Sequence, residues 1–252
     1  PKDLLWDFAV PAIIFSVLGA RIYYVVFSWD YYKNHLNELL NIRQGGIAIY
    51  GAVIGGFLTL LVFCKIRKQN FFLISDIAVL GLLVGQIMGR WGNFTNREVF
   101  GHYTDSLFAM RLPIEAVRSA DITPDIAAHI TDGINYIQVH PTFLYESVLN
   151  LLLLIVLLLY TKHKKFNGEI ALGYLGGYGI IRFFVEGIRT DQLKIGSTGI
   201  AVSQLLGMVL FIAAILTDVI VRIYRGKKGL QELPQKAAVV QNKVENDEKQ
   251  DE

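Results

Sequence analysis

Long apolar runs alternate with short charged connectors along most of the chain, and this pattern predicts the fold. A run of about twenty apolar residues is long enough to cross a bilayer as a helix. Six such runs lie near residues 8–27, 46–66, 71–91, 142–161, 168–189 and 199–223. We therefore predict an all-α polytopic membrane protein with about six spans.

The charges of the connectors predict how these runs are oriented. Lys and Arg gather after the second, fourth and sixth runs, at residues 65–68, 162–165 and 222–228. Connectors rich in Lys and Arg stay in the cytoplasm. The first, third and fifth runs then end outside, and residues 90–140 form an extracytoplasmic segment.

The segments outside the runs predict a head and a tail. Residues 106–111 and 134–139 have the pattern of short strands, Asp132-Gly133 is a turn signal, and residues 124–130 suit one or two helical turns. We predict a small α/β extracytoplasmic head over residues 94–139. Residues 226–252 are charged and poor in aromatic residues, which is typical of a disordered tail. Residues 1–225 form the transmembrane domain, and the tail is cytoplasmic.

Composition supports a membrane class and excludes others. The chain is 53% hydrophobic and only 18% charged, against about 25% charged in soluble domains. Its net charge of +2 is too small to indicate nucleic-acid binding. The lone Cys64 cannot form an internal disulfide. Because the chain begins at Pro1 and not at Met, we expect an N-terminally truncated fragment.

Several charged residues lie inside apolar runs, where an ionised group costs at least about 2.5–3.5 kcal/mol. Arg21 lies in the first run, and Arg182, Glu186 and Arg189 share one helix face in the fifth. The predicted orientation brings them to the outer half of the membrane. The same level holds Tyr50, Gln86, Arg90, His140, Tyr145 and Glu146. A single level favours a site over an ion path.

Arginines around a lipid-accessible cavity suit an anionic phosphate headgroup, because guanidinium groups bind phosphate bidentately and stay charged. Asn93 and Asn96 can donate to phosphate or glycerol oxygens, and Tyr50 and His140 are candidates for proton handling. Each residue also has a structural alternative. Arg182–Glu186 can be a structural ion pair, His140 a helix cap, and the tyrosines interface anchors.

One stretch resembles a known signature. Gly89-Arg90-x-Gly92-Asn93-Phe94-x-Asn96-x-Glu98-x-x-Gly101 is similar to the signature of the bacterial prolipoprotein diacylglyceryl transferases. Blocks at residues 19–25, 45–51, 140–146 and 182–191 resemble the same family in the same order. The resemblance covers nearly the whole chain except the tail.

The resemblance implies a reaction and its partners. The diacylglyceryl group of phosphatidylglycerol moves to the thiol of the lipobox cysteine in a prolipoprotein signal peptide, and glycerol phosphate leaves. It implies a multi-pass protein of the bacterial plasma membrane, with about seven spans at full length and membrane lipids around it. The site faces the outer leaflet. We expect no cofactor, no metal and no nucleic-acid partner.

The resemblance also assigns residues within the catalytic domain 1–225. Arg90 and Arg182 are implied as catalytic, with Tyr50 and His140 as candidates for proton handling. The implied phosphatidylglycerol-binding residues are Arg21, Arg90, Asn93, Asn96, Glu98, Gly101, Glu186 and Arg189. The chain departs from the family where Tyr50 stands in place of a frequent His, and where Phe143 replaces the usual Gln.

Two other functions compete with this hypothesis. A transporter of small anions or lipid headgroups predicts polar residues at several depths and broken or repeated helices. An intramembrane protease needs a buried Ser–His pair or paired Asp residues, and the chain has no Gly-x-Ser-x-Gly motif.

Overall fold

A computed structural model describes residues 3–43, 45–131, 133–196 and 198–229 of the chain. The chain divides into two compact units, Pro1–Ser75 and Asp76–Glu252. The α-helices are α1 Leu4–Phe27, α2 Trp29–Tyr32, α3 Ile49–Ile66, α4 Phe71–Asn96, α5 Pro124–Ala127, α6 Thr142–Tyr160, α7 Glu169–Ile188 and α8 Val202–Lys227. Two short strands, β1 Met110–Pro113 and β2 Tyr136–Val139, lie between α4 and α6.

The six long helices coincide with the six apolar runs, so the predicted helical membrane architecture is confirmed. In the described residues, five helices are long and apolar enough to cross a membrane: α1, α3, α4, α6 with its extension to His163, and α8. Helix α7 is not among them, because its charged residues, glycines and tyrosines lower its hydropathy. Its 20 residues span about 30 Å, which still matches a bilayer core.

In the first unit, α1 and α3 pack closely through small residues. A Cβ built on Gly19 would lie 2.5 Å from the carbonyl oxygen of Gly51, so only glycine permits this approach. Gly55 packs in the same way, because a Cβ there would clash with the carbonyl oxygen of Phe15. The glycines at 81, 85 and 89 on α4 make no such contact, since a Cβ there would meet no described atom of the second unit within 4 Å.

In the second unit, α7 packs between α6 and α8. Gly179 and Gly207 bring α7 and α8 together, because a Cβ on either would lie 2.5 Å from the other's carbonyl oxygen. Asp76 caps the start of α7: its carboxylate accepts hydrogen bonds from the backbone N–H groups of Gly168 and Ala171, both at 2.9 Å. The glycine contact with α8 and the Asp76 cap together set the position of α7 along the axes of the neighbouring helices.

The segment between α4 and α6 folds into the predicted small α/β head. Strands β1 and β2 pair antiparallel, with Met110 opposite Val139 and Pro113 opposite Tyr136. The apolar core of the head contains Phe100, Leu112, Val117, Ile126, Ile137 and Val139.

The boundaries of the head and tail differ slightly from the predictions. Each strand has four residues and α5 makes one turn, while Asp132 of the predicted turn lies outside the described residues. Helix α4 runs to Asn96, so the first residues of the predicted head continue the helix. Helix α8 runs to Lys227 and so includes the first two residues of the predicted tail, and residues 230–252 lie outside the described part.

Candidate active site

Glu146 lies at the centre of a cluster where α4, α6 and α7 meet. Its side chain is 2% exposed, and Oε1 lies 2.9 Å from Arg90 Nη2 while Oε2 lies 3.4 Å from Arg182 Nη1. The Tyr178 hydroxyl donates to Oε1 at 3.4 Å. A buried carboxylate is tolerated only with charged or hydrogen-bonded partners. One carboxylate therefore fixes two guanidinium groups from two different helices.

A second row of charges runs along α7. Arg182 Nη2 lies 2.5 Å from Glu186 Oε2, and Arg189 Nη1 lies 3.6 Å from the same oxygen. The first contact is an ion pair that lacks the alignment of a hydrogen bond. Arg189 also donates two hydrogen bonds to Asp191, at 2.9 and 2.7 Å. Burial opposes ionisation of Asp191, but these bonds outweigh it and lower its pKa.

A third row follows the end of α4. Arg90 Nη1 donates to Asn93 Oδ1 at 3.2 Å, and Asn93 Nδ2 donates to Glu98 Oε1 at 3.3 Å. Asn96 donates to the same Glu98 oxygen at 3.1 Å. The signature residues therefore continue the network outward from the central cluster.

The backbone of this segment is unusual at the point where the helix ends. Arg97 and Val99 have φ angles of 54° and 60°. A positive φ is rare in residues other than glycine and is a clear outlier for a β-branched side chain such as Val99. Strain of this kind is maintained by surrounding contacts and concentrates at functional sites. It orients Glu98, which lies between the two residues.

Gly101 joins the head to the cluster. Its backbone N–H donates to the carbonyl of His140 at 3.0 Å, and it forms an isolated bridge with Arg189. A Cβ at Gly101 would lie 2.8 Å from both His140 Cβ and the carbonyl oxygen of Ile188, so any other residue would separate these segments. This explains the glycine of the signature in physical terms.

His140 lies where β2 passes into α6. Its Nδ1 is 3.1 Å from the hydroxyl of Tyr145. Burial, and to a smaller extent the positive charge of His102, lower the pKa of His140 below its ordinary value of 6.5. At neutral pH the imidazole is therefore neutral and able to accept a proton.

Two of the predicted site residues belong to the first unit. Arg21 is buried, and its guanidinium donates to four backbone carbonyls, those of Glu38, Leu39, Gly45 and Gly46, at 2.6–3.2 Å. It therefore holds the chain at residues 38–46 in place. Tyr50 is 51% exposed, and its ring centroid is 6.3 Å from that of Tyr23.

The second unit brings together eight of the eleven predicted site residues: Arg90, Asn93, Asn96, Glu98, Gly101, Glu186, Arg182 and Arg189. His140 adjoins them through Gly101. Glu146 is the central residue that sequence reasoning left out of the site, although it placed Glu146 at the same level as Arg90 and Arg182, which Glu146 contacts. The signal was a single carboxylate in the second turn of an otherwise very apolar helix.

The cluster contains nearly balanced charges, with Arg90, Arg182 and Arg189 facing the carboxylates of Glu146, Glu186 and Asp191. A guanidinium carries five N–H donors, which is more than these contacts use for Arg90 or Arg182. The arrangement can therefore accept an anion as an additional partner. Within the described ranges, no group of three or more His, Cys, Asp or Glu side chains is positioned to bind a metal.

Comparison with known proteins identifies the family. The family model described as prolipoprotein diacylglyceryl transferase matches residues 1–220. A relative from Listeria monocytogenes serotype 4b (strain CLIP80459), named phosphatidylglycerol–prolipoprotein diacylglyceryl transferase, is 43% identical over 85% of this chain and 73% of its own length.

Two further relatives carry the same name. The protein of Limosilactobacillus reuteri (strain DSM 20016) is 43% identical over 88% of this chain and 77% of its own length. That of Finegoldia magna (strain ATCC 29328) is 39% identical over 86% and 79%. The family model covers residues of both units and every residue of the cluster. The chain belongs to the prolipoprotein diacylglyceryl transferase family.

Proposed function

We propose that this membrane protein transfers the diacylglyceryl group of phosphatidylglycerol to a cysteine thiol of a prolipoprotein, and that the reaction takes place at the Arg90–Glu146–Arg182 cluster. Family membership supports the reaction, and the names of the relatives give the two substrates. The observation that carries the proposed site is the buried carboxylate of Glu146, which holds two arginines from separate helices side by side.

The chemistry needs such a pair. The cysteine sulfur attacks the glyceryl carbon that bears the phosphate, a C–S bond forms, and the C–O bond to phosphate breaks. Glycerol phosphate leaves with the electron pair, so negative charge grows on its oxygens. Arg90 and Arg182 donate to these oxygens as the charge develops, which lowers the barrier. Because Glu146 and Glu186 position them in advance, little reorganisation is required.

The thiol must also lose its proton, since its pKa is about 8.5 and the thiolate is the nucleophile. His140 is the stronger candidate for this step, because it is neutral at physiological pH. Tyr50 is the second candidate, but a neutral phenol is a poor acceptor for the thiol proton. We assign Tyr50 to orienting substrate.

The remaining predicted residues support lipid binding. Asn93, Asn96 and Glu98 form a polar row beside Arg90 that suits the hydroxyls of the glycerol headgroup. Glu186 lies one turn after Arg182 on α7 and orients it, and Arg189 contacts the same Glu186 carboxylate. Gly101 permits the close packing of these segments, and Arg21 contributes by holding residues 38–46.

We further propose that the site faces the outer leaflet and that the C-terminus is cytoplasmic. The Lys- and Arg-rich connectors after α3, α6 and α8 support this orientation. The outer leaflet is where phosphatidylglycerol meets the lipobox of an exported prolipoprotein. The head, residues 94–139, then lies outside the cell, beside the catalytic cluster. Transport of anions or headgroups is disfavoured, because family membership points to the transfer reaction.

The test is direct. The purified protein in phosphatidylglycerol vesicles is given a synthetic lipobox peptide, and the diacylglyceryl adduct on the cysteine is measured by mass spectrometry. We expect adduct with wild type and a loss of at least about 10²-fold in Arg182→Ala, as for removal of a donor to a developing anion. No adduct with wild type, or an undiminished rate in Arg182→Ala, would sink the proposal.

A further inference from the structure

A second polar layer lies one helical turn from the Arg90–Glu146–Arg182 cluster. Gln86 precedes Arg90 by four residues on α4, and Asn150 follows Glu146 by four on α6. Tyr174 precedes Tyr178 by four on α7. Residues four apart share a helix face, so the contacts of the cluster bring these three side chains towards one another. Gln86 Nε2 donates a hydrogen bond to the Tyr174 hydroxyl at 2.9 Å, so α4 and α7 are in direct contact within this layer.

The layer contains polar atoms that are buried without partners in the described part of the chain. Asn150 is 0% exposed, and neither its Nδ2 nor its Oδ1 has a hydrogen-bond partner. The Oε1 atom of Gln86 is in the same condition. An unsatisfied buried amide destabilises a fold, and most buried polar groups in proteins have a partner. The neighbouring residues Leu83, Leu153 and Leu157 form an apolar cluster and satisfy neither amide.

The position of the layer indicates what kind of group it binds. Arg90 is six residues from the end of α4 and Gln86 is ten, while Asn150 lies deeper in α6 than Glu146. The layer is therefore nearer the middle of the helices, by one turn of about 5.4 Å. In a phospholipid, the ester carbonyls also lie on the bilayer-centre side of the phosphate, a few bonds away across the glyceryl carbons. This relation holds whichever way the helices cross the membrane.

We propose that Asn150 and Gln86 bind the ester carbonyls of the diacylglyceryl group while its phosphate contacts Arg90 and Arg182. Asn150 Nδ2 donates to one carbonyl oxygen. Gln86 can turn its amide over, so that the Tyr174 hydroxyl donates to Oε1 and Nε2 is free to donate to the second carbonyl. The two residues then position the glyceryl carbon for attack and select ester-linked lipid. This inference rests on the proposed function.

The experiment compares two donors in the adduct assay, diacyl phosphatidylglycerol and its di-O-alkyl analogue, which lacks both carbonyls. The ratio of their rates is measured in wild type and in Asn150→Leu, so any intrinsic difference between the lipids cancels. A hydrogen bond of ordinary strength predicts that the ester-to-ether ratio falls about five- to tenfold in Asn150→Leu. We expect Gln86→Leu to lower the ratio in the same direction.

Thermal stability separates this role from a structural one. Leucine has nearly the shape of asparagine and no polar atoms to satisfy, so Asn150→Leu should raise the melting temperature of the lipid-free protein in detergent. Gln204→Leu in α8 is the matched control, because Gln204 is a membrane-helix amide with partners at Phe183 and Ala201. It should lower the melting temperature and leave the ester-to-ether ratio unchanged.

An unchanged ratio in Asn150→Leu would overturn the inference, as would an equal loss with both lipids, which indicates a bound water or repacking. These results are distinct from failure of the proposed function, in which wild type forms no adduct with either lipid.

Discussion

The bundle of α4, α6 and α7 carries buried carboxylates at both ends, and their partners differ. At one end the carboxylates of Glu146 and Glu186 pair with the guanidinium groups of Arg90, Arg182 and Arg189, and Glu146 also accepts from the Tyr178 hydroxyl. At the other end Asp76 accepts from two backbone N–H groups at the start of α7 as well as from Lys164, at 3.0 Å. Glu169 there accepts from the backbone of Lys165, the Tyr160 hydroxyl and Arg222.

This difference separates a structural role from a chemical one. A carboxylate bound to helix N–H groups is part of a cap, and moving it would leave backbone donors unsatisfied. A carboxylate bound to guanidinium groups can share them with an incoming anion, because each guanidinium has donors in excess. Burial and charge are similar at the two ends, so it is the type of partner that distinguishes them.

The largest expected effect comes from neutralising the centre of the candidate site. Glu146→Gln keeps the shape of the side chain but removes the charge that holds Arg90 and Arg182 together. We expect the rate of adduct formation to fall about 10²-fold, comparable to the loss of one preorganised donor. The rate per folded molecule is measured in phosphatidylglycerol vesicles.

Glu169→Gln is the matched control, since it makes the same chemical change in a buried Glu–Arg pair at the other end. It should lower the melting temperature and leave the rate per folded molecule within about twofold of wild type, because Glu169 lies at the start of α7, roughly 20 Å along the helix from Arg182. Equal losses of rate in the two variants would mean that the ends do not differ in role.

A smaller effect, on stability alone, is expected for Asp76→Asn. The change leaves Lys164, which is only 9% exposed, without its charged partner and weakens the cap of α7. Breaking a buried ion pair costs about 3–5 kcal/mol, which corresponds to roughly 6–20 °C in melting temperature for a domain of this size. Thermal unfolding in detergent measures the shift, and adduct formation should persist below the new melting temperature.

The double variant Asp76→Asn/Lys164→Met tests the cause of that loss. Removing the unpaired cation should restore much of the stability, because replacing both partners of a buried pair costs less than replacing one. If the double variant is less stable than Asp76→Asn by the full cost of a second independent change, then the ion pair is not what stabilises this end.

The order of the helices could be predicted from the sequence, because twenty-residue apolar runs have few other stable structures in a bilayer. All six runs are helical, and the head has the expected strands with shifted ends. Strand ends depend on cross-strand pairing, as between Met110 and Val139, which a local pattern does not contain.

The site was predicted less completely than the fold. Spacing of four and three on one helix identified Arg182, Glu186 and Arg189 as neighbours, and the structure has those contacts. The link from Arg90 to Glu146 joins residues 56 positions apart, and no local rule predicts it. Arg21 shows a second limit of sequence reasoning. Its position in an apolar run predicted that it would be functional, but the sequence does not show that its partners are backbone carbonyls.

The smallest expected effect lies at the junction of β2 and α6, where the side chain of His140 neither caps a helix nor joins the charge network. Burial lowers the folded-state pKa of His140, so below pH 6.5 the unfolded chain binds a proton more readily than the folded one. The stabilising contribution of the neutral imidazole is therefore fully present above pH 6.5 and is lost as the pH falls through the lowered pKa.

Melting temperatures between pH 7.5 and 5 should decline less in His140→Gln than in wild type. His163→Gln, which removes an exposed histidine at the other end, should follow wild type. Parallel declines in wild type and His140→Gln would show that the imidazole does not charge in this range, and the proton of the thiol would then have to go elsewhere.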